Sequence, residues 1–305
     1  MAEGDDLFPG FEPLWIEGPA GRWFGRAGGP AGGPPLLLLH GFPQSHAMWH
    51  RLAPTLAETH RVIALDLKGY GWSAAPDSEA GENAYAKRQV GAEIVAVMER
   101  LGHVRFALAG HDRGARVGYR LALDAPGRVE RLAILDIVPT EVQWTRIEAK
   151  PGANPHWPFL AGPAPEPERV IGRDPDAYFE GLLRGWNAAG DLSPFDPRAL
   201  TLYRQAWNVP ERIHAFCEDY RAGGPDGPDR AADREDLAAG RTLDMPVRVL
   251  ASMHYLDRDK PEPALAVWRR TFAPRADGVS IPSGHFMAEE APEATLQALR
   301  AFLGA

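Results

Sequence analysis

The sequence has 305 residues, 45% hydrophobic and 24% charged, a balance that can offset chain entropy and excludes disorder as the main state. Lysine and arginine total 33 and aspartate and glutamate 41, so the formal charge is −8; this disfavours nucleic acid and anionic membrane as general partners but not a small anionic ligand, which feels only the local field. The single cysteine, Cys217, can make neither an internal disulfide nor a thiolate metal site, which fits a reducing compartment; the expectation is a cytoplasmic chain with no metal and no cofactor.

The start, Met1-Ala2-Glu3-Gly4-Asp5-Asp6, is acidic and lacks the basic and apolar blocks of a signal peptide. Leu36 to Leu39, the purest apolar run near it, is too short to span a bilayer. Pro35–Leu39 reads as a buried strand ending at His40-Gly41, and Arg61–Leu65 as a second ending at Asp66. Val90, Ile94, Val97 and Leu101 recur at threes and fours and predict a helix over 85–101. A third strand is expected at 106–109, a helix at 116–123 and a fourth strand at 131–135, ending at Asp136. Strands alternating with helices predict an α/β fold with a mostly parallel sheet covered on both faces.

After Pro139 the pattern changes. Residues 140–242 are rich in Trp, Pro and Arg and carry helical segments such as 176–186 and 197–208. Strand character resumes at 247–251 and 278–281, and 292–302 reads as a closing helix. The expectation is an α/β core of residues 1–139 and 243–305 interrupted by a helical cap, 140–242. An insertion at the carboxyl end of a strand can roof a site there; otherwise it is a second structural layer.

Gly110-His111-Asp112-Arg113-Gly114 has the spacing of a G-x-S-x-G nucleophile elbow with Asp at its centre, and no G-x-S-x-G occurs in the chain. A carboxylate is ionised at neutral pH without a base, so it can attack a saturated carbon and form an ester. Asp112 could instead cap the following helix. Asp136 after the next strand and His285 after the last give the order nucleophile, acid, histidine of the α/β-hydrolase arrangement, with His285 as base on water. Asp257 or Asp259 could also be the acid; Asp136 is preferred because it abuts its strand. The loop 252–260, Ser-Met-His-Tyr-Leu-Asp-Arg-Asp-Lys, has no assigned role. His40-Gly41-Phe42-Pro43-Gln44 follows the first buried strand, so the N–H groups of Phe42 and Arg113 are candidates for an oxyanion hole. Arg116 lies one helical turn past Asp112 and can share its face; with Arg113 it could hold a second carboxylate, or the pair could bridge Asp112 or Asp124 structurally.

The runs from His40 to Gln44, Asp66-Leu67-Lys68-Gly69-Tyr70-Gly71, Gly110 to Arg116 and Leu135-Asp136-Ile137-Val138-Pro139-Thr140 resemble the haloacetate dehalogenases of the α/β-hydrolase superfamily, specifically the fluoroacetate dehalogenases. His156-Trp157, Pro163-Ala164-Pro165, Asp174-Pro175-Asp176 and the run from Cys217 to Gly223 are similar to that family's cap. The resemblance implies hydrolytic dehalogenation of short 2-haloacids through an ester on Asp112. It implies that Arg113 and Arg116 grip the substrate carboxylate, that His156, Trp157 and Tyr220 bind the halide, and that the enzyme is a homodimer. The elbow is shared with epoxide hydrolases and haloalkane dehalogenases, which usually carry Trp after the Asp. An epoxide hydrolase needs two cap tyrosines, for which Tyr178, Tyr203 and Tyr220 are available, but has no need of the two arginines. A non-catalytic receptor on the same fold is the third reading, against which stands the presence of all triad members.

Overall fold

An antiparallel hairpin, β1 (Glu12–Gly18) and β2 (Gly21–Gly28), opens the chain in the computed structural model, which describes residues 6–77, 84–260 and 262–304. The acidic stretch 1–5 lies outside the described residues. The hairpin was not expected, because two of the inward positions of β2 are the small Gly25 and Ala27, which blunt the alternation a strand announces itself by. Next come β3 (Pro35–Leu39), a 3-10 turn (His46–Trp49), α1 (Ala53–Leu56), β4 (Arg61–Leu65), α2 (Lys87–Arg100), β5 (Phe106–His111), α3 (Arg113–Asp124) and β6 (Val129–Leu135).

Between β6 and β7 the described residues contain seven helices: α4 (Thr140–Ala149), α5 (His156–Leu160), α6 (Glu166–Ile171), α7 (Pro175–Trp186), α8 (Pro197–Trp207), α9 (Pro210–Ala222) and α10 (Pro228–Ala238). Five of the seven carry proline at their first or second position, where its missing N–H costs nothing. The chain closes with β7 (Val247–Ser252), α11 (Ala264–Arg270), β8 (Asp277–Ile281), α12 (Met287–Glu290) and α13 (Pro292–Leu303).

The eight strands form one sheet in the order β1-β2-β4-β3-β5-β6-β7-β8, antiparallel through β1, β2 and β4 and parallel from β4 to β8. Leu36 to Leu39 and Leu132 to Leu135 are fully buried, as strands covered on both faces must be. From β3 the chain steps outward to β4 and then crosses to β5 on the other side of β3. The carboxyl ends of β3 and β5 therefore flank a topological switch point, where open α/β sheets bind ligands. Register then aligns the ends that matter: Leu39 pairs with Gly110, His111 with Leu135, and Leu135 with Leu250. Among the described residues, no helix is long and apolar enough to cross a membrane.

Candidate active site

Asp112 occupies the turn between β5 and α3 with φ 44° and ψ −111°, a conformation that an L-residue adopts only under constraint. The constraint is close packing on both sides. A Cβ on Gly110 would lie 2.6 Å from the Gly114 carbonyl, and one on Gly114 would collide with the Leu39 and His40 carbonyl oxygens. Both ends of the pentapeptide must be glycine for α3 to approach the sheet this closely. The Asp112 side chain makes no capping bond to its own helix. Its Oδ1 accepts the Phe42 N–H at 3.1 Å, and its Oδ2 lies 3.9 Å from His285 Nε2.

His285 is held from several directions. Its Nδ1 is 2.7 Å from Asp136 Oδ2, and its backbone N–H donates to the Trp186 carbonyl at 2.8 Å. The flanking N–H groups of Gly284 and Phe286 donate to the two carboxylate oxygens of Glu290, and the ring of His111 bonds the His285 carbonyl through Nε2. Asp136, at φ 61° past the end of β6, accepts the Ser252 N–H on its Oδ1 at 2.7 Å. Asp257 is engaged elsewhere: its Oδ1 accepts the Ala264 N–H at 2.7 Å and so starts α11.

Electrostatics separate the roles. Burial raises the Asp112 carboxyl, but His285, Arg113 and Arg116 outweigh it and hold the group well below the usual carboxylate range. Burial lowers His285, and the hydrogen bond and charge of Asp136, with the charge of Asp112, reverse this and raise it. Burial pushes His156 down to about 3, so it is a neutral ring at physiological pH with one N–H to give.

The two arginines differ. Arg116 lines the cavity above Asp112; its Nη1 donates to the Val138 carbonyl and Thr140 Oγ1, and its Nε is buried with no hydrogen-bond partner among the described residues. Arg113 stands one layer behind, with its Cζ 3.5 Å from the centre of the Tyr220 ring and 4.8 Å from that of Trp157. Its Nε lies 2.9 Å from Asp219 Oδ2, an ion-pair contact not aligned as a hydrogen bond, and its buried Nη1 and Nη2 have no partner among the described residues. Neither arginine bridges Asp124, which Arg88 and Arg120 hold.

His156, Trp157 and Tyr220 converge from α5 and α9, with ring centres 5.5 Å apart for Trp157 and Tyr220 and 6.0 Å for His156 and Tyr220. The cavity, about 570 Å³, has Asp112, Arg116, His156, Trp157, Trp186, Tyr255 and His285 among its lining residues. Phe42, Arg113 and Tyr220 are not among its lining residues, being packed behind that wall. The sequence reading missed Trp186, whose ring lies 4.4 Å from that of His156, and Tyr255, whose ring lies 4.8 Å from that of His285. The signal available for Tyr255 was the unassigned loop itself; Trp186 had none beyond ending a predicted helix. Of the other tyrosines, Tyr203 donates to Glu289 and Tyr178 is packed against Phe159 and Phe179; neither lines the cavity. Among the described residues no group of three His, Cys, Asp or Glu side chains is placed to hold a metal.

Comparison with known proteins agrees with this architecture. The α/β hydrolase fold family matches residues 34–292. A fluoroacetate dehalogenase from Burkholderia sp is 44% identical over 275 residues, covering 89% of this chain and 87% of the relative. An α/β hydrolase from Nostoc sp PCC 7120, so described provisionally, superposes with a TM-score of 0.90 at 42% identity, covering 96% of this chain and 98% of the other. A protein from Pseudomonas aeruginosa described provisionally as an epoxide hydrolase gives a TM-score of 0.88 at 42% identity, covering 98% of this chain and 97% of its own. The chain belongs to the α/β-hydrolase family.

Proposed function

We propose that this α/β hydrolase cleaves the carbon–halogen bond of short 2-haloacids such as fluoroacetate, giving the 2-hydroxy acid (glycolate) and halide. The observation that carries the reading is the pairing of an ionised aspartate at a nucleophile elbow with buried guanidinium donors that lack hydrogen-bond partners among the described residues: Nη1 and Nη2 of Arg113 and Nε of Arg116. Unpaired buried donors are costly, and a bound carboxylate would satisfy them. Arg116, at the cavity wall, meets that carboxylate first.

With the acid held there, Asp112 Oδ2 attacks C2. The new C–O bond forms as the carbon–halogen bond breaks, and the bonding pair leaves with the halide. Donors from His156, Trp157 and Tyr220 take up the charge that develops on it. Since 3.9 Å is too long for a hydrogen bond, His285 leaves the nucleophile free for this step. In the second step His285 Nε2 takes a proton from water as the oxygen adds to the ester carbonyl carbon of Asp112. Negative charge gathers on Oδ1, against the Phe42 N–H. Collapse expels glycolate and restores the carboxylate, with one proton released overall. Asp136 orients the imidazole and stabilises its charged form.

Epoxide hydrolysis would use the same nucleophile. Against it stand the engagement of Tyr203 with Glu289 and two buried guanidiniums that an uncharged epoxide does not require. The test is fluoride release from fluoroacetate by the purified protein, read with an ion-selective electrode, against hydrolysis of a neutral epoxide of similar size. Fluoride release with no diol supports the reading; diol with no fluoride overturns it.

A further inference from the structure

We propose that Asp219 is a positioning residue: from the inserted helix α9 it fixes the guanidinium of Arg113, so that neighbouring residues of one helical turn set both the carboxylate end and the halide end of the site. This rests on the reading of Arg113 as a carboxylate donor and of Tyr220 as a halide donor.

Four buried charges from four helices meet behind the cavity. Lys87 Nζ of α2 lies 2.5 Å from Asp219 Oδ1 and 3.2 Å from Asp229 Oδ2 of α10. Arg113 Nε of α3 lies 2.9 Å from Asp219 Oδ2, which also accepts the Tyr70 hydroxyl at 3.1 Å. The Lys87 N–H donates to Asp229 Oδ1 at 2.7 Å. All four residues are 5% exposed or less, and two positive groups meet two negative ones, so the cluster is neutral and no charge is left over. A buried ionic cluster adds little net stability over apolar packing, but it is strict about geometry, because removing one member strands another.

That strictness has an object here. Asp219 takes Arg113 by its Nε edge, and Tyr220, the next residue, covers the guanidinium face at 3.5 Å. With Nε facing Asp219 and the ring face covered, Nη1 and Nη2 are the donors left to give, and like Nε they have no hydrogen-bond partner among the described residues. The same turn of α9 aims the Tyr220 ring toward Trp157 and His156.

The test compares chloroacetate with chloroacetamide, its neutral counterpart, in Asp219→Asn and in the double variant Lys87→Gln/Asp219→Asn, which removes one charge of each sign and guards against misfolding of the single variant. Loss of orientation at the carboxylate should raise KM for chloroacetate about tenfold, change kcat less than about threefold and leave chloroacetamide kcat/KM within about twofold. Calorimetry with glycolate should show a matching loss of affinity in both variants. Equal losses on the two substrates would reduce Asp219 to a stability residue, and unchanged glycolate affinity would overturn the proposal. If the wild-type chain binds glycolate yet releases no halide, the reaction assigned above fails, while Asp219 is still judged by the glycolate affinities.

Discussion

The strand ends of the sheet and the inserted helices contribute to one cavity, but they hold their side chains by different means. At the strand ends, backbone does the placing. The Asp112 N–H donates to the Leu135 carbonyl, the Asp136 N–H to the Leu250 carbonyl, and the Ser252 N–H grips the Asp136 carboxylate. In the inserted helices, side chains place one another: Trp157, His156 and Tyr220 lie in mutual ring contact, and Asp219 and Lys87 pair across 132 residues of sequence. Backbone register tolerates side-chain exchange, so the strand ends can keep one chemistry while the helices above are altered. On this view the strand ends carry the making and breaking of the ester, and the helices decide which halide leaves and which acid enters.

The largest effect expected from separating the two regions is at His285. Asn at that position should leave displacement intact and stop hydrolysis, cutting turnover by at least about 10⁴-fold, as for loss of a triad base. Mass spectrometry of that variant after fluoroacetate should find the added carboxymethyl group on the peptide bearing Asp112. An unmodified peptide in a variant that still binds substrate would break the division at its first step. Asp136→Asn should slow the hydrolysis step by roughly 10³ to 10⁴-fold, whereas Asp257→Asn, which loses only the start of α11, should cost stability and little turnover.

A smaller and more selective effect belongs to the helices. Trp157→Phe keeps an aromatic ring against Trp144 and Tyr220 and removes the indole N–H along with part of the ring volume. Fluoride concentrates its charge and needs donors as it departs; chloride needs them less. Losing one aimed donor typically costs about 10² to 10³-fold in rate, so fluoroacetate turnover should fall by that order and chloroacetate turnover by under about tenfold. Equal losses on both, with a lowered melting temperature, would make Trp157 a packing residue and erase the contrast between the regions.

The same division explains what was legible in the sequence. Asp112, Asp136 and His285 each follow a strand that local pattern identifies, and their order along the chain carries the rest. Arg116 was legible from one helical turn of spacing. The place of Arg113 was not: its guanidinium stands behind the cavity wall with Nε at Asp219, and nothing local to residue 113 shows that a residue more than 100 positions on will pair with it. Tyr255 is a similar case. Its loop is tied down by the Met253 N–H to the Ile281 carbonyl and the His254 N–H to the Ser283 carbonyl, so it travels with the segment that bears His285. Those bonds join two stretches that are separate in sequence and contain no motif. The first hairpin was hidden for the opposite reason, because glycine and alanine fill positions where a larger apolar side chain would have announced a strand.

The mildest effect, and the sharpest test of which region controls which step, is on pH. Burial lowers the His285 pKa, but the bond to Asp136 and the charges of Asp136 and Asp112 raise it above the ordinary value of 6.5. A protonated imidazole cannot take a proton from water, so hydrolysis of the ester should fall about tenfold for each pH unit below that raised value. The acid limb of turnover should therefore lie above pH 6.5, not below it. Ester formation should not share the limb, because Asp112 stays ionised throughout this range. His156, held down to about 3, should contribute nothing to it either. Single-turnover measurements between pH 5 and 9 would separate the two steps. Asp136→Asn removes the principal opposing influence to burial, so its residual activity should show the limb displaced toward lower pH. A limb that stays in place in that variant, or one that appears in ester formation, would mean that some group other than His285 titrates, and the strand ends would no longer account for the second half of the reaction.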